Sequence, residues 1–101
     1  MHLERQTVSR KTPGDGRLEI SPQAADDLRN MGAGLQVSMD GVRTSAVVEN
    51  MSCTCHGKET PHHHHFLRSA AFAQLVPGST VDLDLDAQAA VVCVIEAPST
   101  G

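Results

Sequence analysis

The sequence has no Trp and no Tyr, and Phe66 and Phe72 are its only phenylalanines. Nucleic-acid platforms stack bases on aromatic rings or Arg planes, and a formal net charge of -4 also removes the attraction to phosphates. Both shortages argue against direct nucleic-acid binding. No apolar run approaches the roughly 20 residues needed to cross a bilayer, and Met1-His2-Leu3-Glu4-Arg5 is not followed by the apolar core of a secretory signal. The chain therefore reads as cytoplasmic and free of membrane. Cysteine is scarce as well. The three are an odd number, and Cys53 and Cys55 lie too close in sequence for an easy unstrained disulfide, so reduced thiols are expected.

What is present is ordinary in amount: 40% of the 101 residues are apolar, mostly Val, Leu, Ala and Met. One domain accounts for that length. Residues 1–16 hold Arg5, Arg10, Lys11, Pro13 and two glycines with few apolar partners, so they read as a disordered arm, and residues 97–101 as a disordered tail. A single domain over residues 17–96 remains. At that size one hydrophobic core is thermodynamically thin, and a bound metal would help to hold it.

Arg17-Leu18-Glu19-Ile20 alternates polar and apolar residues and predicts a short strand. Ser21-Pro22 then opens a helix: the serine hydroxyl caps an orphaned N–H, and proline at the first position gives up no helical bond. Ala24, Ala25, Leu28 and Met31 share one face, and Gly32 or Gly34 ends the helix. Leu35, Val37 and Met39 alternate up to Asp40-Gly41, a two-residue type I′ turn that pairs Met39 with Val42 and Val37 with Thr44. The returning strand delivers Cys53 to its end.

After a polar loop either Thr60 and Pro61 open a helix with the histidines in its first turn, or the histidine run is extended and a short helix begins near Ser69 with Phe72 and Leu75 on one face. The second is preferred, because a helix from Pro61 scatters Phe66, Leu67 and Phe72. Val76-Pro77-Gly78-Ser79 predicts a type II turn. Val81, Leu83 and Leu85 alternate with Asp82, Asp84 and Asp86, and 90–95 is apolar on both faces, as in a central strand. The fold expected is α+β: a small antiparallel sheet of about five strands with two short helices, a partly closed barrel being the alternative.

The chemistry concentrates in Cys53-Thr54-Cys55-His56 and His62-His63-His64-His65, where two thiols and five imidazoles fall within thirteen residues. Thiolate and imidazole are the donors that tetrahedral zinc prefers. In an extended segment positions i and i+2 share a side, so Cys53 and Cys55 can reach one ion, and either His63 with His65 or His62 with His64 can complete it. The pair His63 and His65 is preferred because His62 and His64 share parity with Phe66, which is expected to face the core. His56 is a further candidate ligand. The bland alternative is a solvated loop, but two unprotected thiols there would be open to oxidation. Copper is the alternative metal, since soft thiolates suit Cu(I).

The remaining groups read more simply. Cys93 among Val92, Val94 and Ile95 is expected to be a small buried hydrophobe. Asp82, Asp84 and Asp86 diverge along one strand face instead of converging in a calcium loop, so they read as a solvated row that discourages edge pairing. Gly14-Asp15-Gly16 has neither the Lys-Ser/Thr pair nor the further glycine of a phosphate-binding loop after it. The expected function is therefore a small zinc-binding module acting as a binding or accessory protein, with a protein partner an open expectation. A copper or zinc carrier with labile ligands, or a small Cys-His redox or hydrolytic enzyme, are the rivals. Glu49 and Glu59 flank the loop with no spacing diagnostic of a general base, which counts against catalysis.

Overall fold

Positive φ at both Asp40 (51°) and Gly41 (81°) builds the two-residue turn, and the hairpin it closes has the expected register, with Met39 opposite Val42 and Val37 opposite Thr44. Around that hairpin the rest of the sheet is assembled. The computed structural model describes residues 1–32, 34–53 and 62–97, giving the backbone alone at 52, 53 and 62. Its strands are β1 (His2–Thr7), β2 (Arg17–Ile20), β3 (Gln36–Met39), β4 (Val42–Cys53), β5 (His62–Ser69), β6 (Thr80–Asp86) and β7 (Val91–Glu96). Helix α1 (Thr12–Asp15) precedes β2, helix α2 (Pro22–Arg29) comes after it, and a 3-10 turn occupies Ala70–Gln74.

Among the described residues the seven strands form one sheet in the order β1-β6-β7-β3-β4-β5-β2, curled into a half-barrel. This corrects the α+β fold of five antiparallel strands and two helices. One extra strand comes from the segment whose composition suggests a disordered arm: β1 pairs antiparallel with β6, setting Arg5 opposite Asp82 and Thr7 opposite Thr80. Its sequence shows no apolar alternation, and its pairing rests on backbone bonds and charge complementarity across the ladder. Arg5 Nε donates to Asp82 at 2.9 Å. The second extra strand is the histidine run itself, carried through Phe66, Leu67 and Arg68 into an eight-residue β5. The sheet is also mixed, because β7 lies parallel to β3.

The acidic row consequently has a different role from the one expected. Strand β6 is paired on both sides, by β1 and β7, so Asp82 and its neighbours do not guard an edge. The edges of the sheet are β1 and β2.

Local chemistry explains the connections. Ser21 caps α2, its hydroxyl accepting from the Ala24 N–H at 3.1 Å, with Pro22 in the first helical position. Ser69 does the same for the 3-10 turn, accepting from Ala71 N–H. The expected second helix is thus a 3-10 turn, yet Phe72 and Leu75 are buried as anticipated. Ser79 N–H donates to the Val76 carbonyl at 3.1 Å and Gly78 takes φ 89°, which closes the Pro-Gly turn.

The core sits inside the curl. Leu18, Ile20, Ala24, Ala25, Leu28, Val37, Leu67, Phe72, Val81, Leu83 and Val92 are all buried there, and Val8, from the supposed arm, joins them at 2% exposure. Strand β7 is central as expected, but only Val91 and Val92 are fully buried; Cys93 is half-buried, not enclosed as a small core residue.

Candidate functional site at the end of the β4–β5 hairpin

Alternation places His62, His64 and Phe66 on one face of β5 and His63, His65 and Leu67 on the other. Leu67 is the residue that enters the core, at 0% exposure, whereas Phe66 is half-buried on the outer face. The expectation that Phe66 faces inward is therefore wrong by one residue, and the parity argument that favoured His63 and His65 goes with it. Burial of Leu67 and the Ser69 cap decide the parity together, since both must face the interior.

Strand β5 lies between β4 and β2. The β4–β5 ladder runs from Ala46 opposite Ser69 to Asn50 opposite His65, Met51 opposite His64, Ser52 opposite His63 and Cys53 opposite His62. Residues opposed in an antiparallel ladder share a face, with Cα atoms about 4.5–5.5 Å apart. Position 53 is thus registered with position 62, and on the same outer face Met51 is registered with His64. Cys55 and His56 lie outside the described residues.

The two described faces differ chemically. On the outer face His64 Nδ1 lies 2.9 Å from Glu19 Oε2, a partner supplied by β2, and its ring centroid is 6.2 Å from that of Phe66. A carboxylate on one ring nitrogen fixes the tautomer and orients the imidazole, which is the usual support of a metal-binding histidine. Met51 is 49% exposed beside it.

On the inner face His65 Nδ1 lies 2.6 Å from Asn50 Oδ1 and 3.2 Å from Arg29 Nη2. That nitrogen can donate to the amide oxygen or accept from the guanidinium, not both at once. A fixed cation at this distance also opposes a divalent ion on the same nitrogen. His63, registered with Ser52, is exposed.

Further along the outer face an ion cluster ties three strands together. Arg17 Nε donates to Glu49 Oε1 at 2.7 Å and Arg68 Nη1 donates to Glu49 Oε2 at 3.0 Å. The Arg17 hydrogen bond is the main reason the Glu49 carboxyl is held below its ordinary range, partly offset by desolvation, with Arg68 assisting. The cluster pins β2 against β5 and β4 close to His64.

Glu19 is the neighbour of His64 that the sequence did not reveal. Its place on the polar face of Arg17–Ile20 was legible, but the antiparallel register of Glu19 with Phe66 is a long-range fact. Among the described residues no group of three or more His, Cys, Asp or Glu side chains is close enough to hold a metal ion. None of the helices described is long and apolar enough to cross a membrane. No family model matches the chain, and no curated protein or solved structure matches it.

Proposed function

We propose that this protein is a small metal-binding module that takes zinc at the end of the β4–β5 hairpin. The observation that carries the reading is the registration of Cys53 with His62, which sets a thiol-bearing and an imidazole-bearing position opposite each other on one face. His64 comes next on that face with its Nδ1 beside the Glu19 carboxylate, the support common to metal-binding histidines. The ligand set favoured is Cys53, Cys55, His62 and His64, with His62 and His64 replacing the pair His63 and His65. A tetrahedral site of two thiolates and two imidazoles is a stable zinc environment. Bound zinc would close the hairpin end and supply folding energy to a small sheet. Such a site needs a reducing compartment, consistent with an odd number of cysteines, and its work would be binding or scaffolding instead of catalysis.

Copper(I) is the second reading, and Met51 favours it. An exposed thioether two positions before Cys53, opposite His64, adds a soft donor that zinc would ignore.

The test is elemental analysis of protein purified without a metal resin, followed by thermal melting with and without a chelator. One zinc per chain is expected, and zinc at about 100 times its dissociation constant should raise Tm by about 10 °C or more relative to chelated protein. Cys53→Ser with His62→Ala should abolish the difference. Copper in place of zinc, with melting restored by Cu(I), selects the second reading. Absence of any bound metal together with unchanged melting would sink both.

A further inference from the structure

Composition alone makes Ser9-Arg10-Lys11 part of a solvated arm, but the structure docks it. Val8 is buried, its N–H donates to the Ser79 carbonyl and its carbonyl accepts from the Gly78 N–H, both at 2.8 Å. From that anchor the chain enters α1 and carries Arg10 and Lys11 over the outer face of β2, β5 and β4. Between them lies a groove of about 570 Å³, within the size range of small-molecule sites. Phe66 and Met51 give it an apolar floor, and Arg10, Lys11 and Arg17 line it against Asp15 and Glu19.

The charges along this groove are unevenly satisfied. Of the cations that line it, Arg17 has a carboxylate partner in Glu49. Arg10 and Lys11 have none among the described residues, and both are exposed. In a chain of net charge -4, two adjacent unpartnered cations beside an apolar floor are the chemical complement of an organic anion. The lining carries three cations and two carboxylates, a formal balance of +1 with histidine neutral. That balance suits a single negative charge better than a doubly charged phosphate.

We propose that this groove binds a small organic monocarboxylate, its flat or aliphatic body lying on Phe66 and Met51 and its carboxylate reaching Arg10 and Lys11. Guanidinium and ammonium groups make charge-assisted hydrogen bonds to carboxylates, and the aromatic floor excludes water from one side of the ligand. No metal is needed for it, although His64 and Met51, which the metal readings use, also line the groove.

The experiment is titration of the ¹⁵N-labelled full chain with 2-naphthoate, read by amide chemical shifts, in parallel with the neutral 2-naphthamide and the dianionic 2-naphthyl phosphate. Shifts are expected at Arg10, Lys11, Glu19, Met51 and Phe66, with naphthoate bound about tenfold or more tighter than the amide and at least as tightly as the phosphate. The double variant Arg10→Gln with Lys11→Gln should lose about tenfold in affinity while its amide spectrum stays folded. Arg43→Gln, a remote exposed cation, should lose nothing. The proposal is overturned by equal binding of the amide, by tighter binding of the phosphate, by shifts clustered elsewhere, or by an unchanged double variant. Loss of binding on adding a chelator would also overturn it, since the carboxylate would then be held by a metal.

Discussion

Gly16 shows how much a single residue can carry in this fold. It caps α1 in the left-handed conformation with φ 68°, and its N–H donates to the Thr12 carbonyl at 2.8 Å. Its carbonyl accepts from Ser69 N–H, also at 2.8 Å, and a Cβ at this position would stand 3.0 Å from the Ser69 carbonyl oxygen. Alanine would meet both the left-handed penalty, roughly 1–2 kcal/mol, and a backbone contact that cannot give. Gly16→Ala is expected to destabilise by about 2 kcal/mol or more in urea unfolding. A loss below half of that would mean the two chain segments separate easily. The glycine itself is legible in the sequence, where composition assigns it to a disordered arm; its closeness to Ser69 is not, because no local pattern links positions 16 and 69.

At the scale of the elements, β2, β4 and β5 are joined on their outer face by Arg17, Glu49 and Arg68. The Glu49 carboxyl is held below its ordinary value of 4.5, first by the Arg17 hydrogen bond. A carboxyl whose folded pKa is depressed adds stability above about pH 4.5, and that contribution is lost as pH falls through the folded value. Glu49→Gln should therefore be less stable than the parent near neutrality and should lose less stability on acidification below about pH 4.5. Parallel acid limbs in the two unfolding curves would show that the cluster adds nothing. Strand β1 is the element where sequence reading failed most plainly. Its polar residues face solvent and a charged neighbour, so the alternation that marks a half-buried strand is missing, although Arg5 beside Asp82 makes the pairing favourable.

For the whole molecule the question is how a half-barrel holds its two edges, β1 and β2. Glu4, on β1, accepts from the Ser21 N–H at 2.9 Å and from the Ser21 hydroxyl, at the point where β2 passes into α2. Ser21 in turn accepts from Ala24 N–H. This is the reciprocal exchange of a capping box, with the carboxylate supplied by a distant strand in place of the third helical residue. Glu4→Ala should cost about 1–2 kcal/mol and raise amide exchange at Ser21, Ala24 and along β1, leaving β3 and β4 protected. Uniform loss of protection across the sheet would show that Glu4 supports global stability and not this seam. The proposed metal site and the carboxylate groove share the outer face of β5, near β2. That edge of the half-barrel is where both functional proposals meet.

By itself the sequence determined what a few neighbouring residues can decide. Asp40-Gly41 accepts the positive φ values of its turn, Ser21-Pro22 opens a helix, and Ser69 opens the turn that buries Phe72. Each rests on dihedral preferences or a hydrogen bond spanning three or four residues. Only the tertiary structure decided that His64 shares a face with Met51 and meets Glu19, that position 53 is registered with His62, that β7 runs parallel to β3, and that Arg10 and Lys11 overhang a groove. The reason is that a strand's alternation assigns two faces but not which is inner. That choice comes from distant partners, here the burial of Leu67 inside the curl and the register of β5 between β4 and β2.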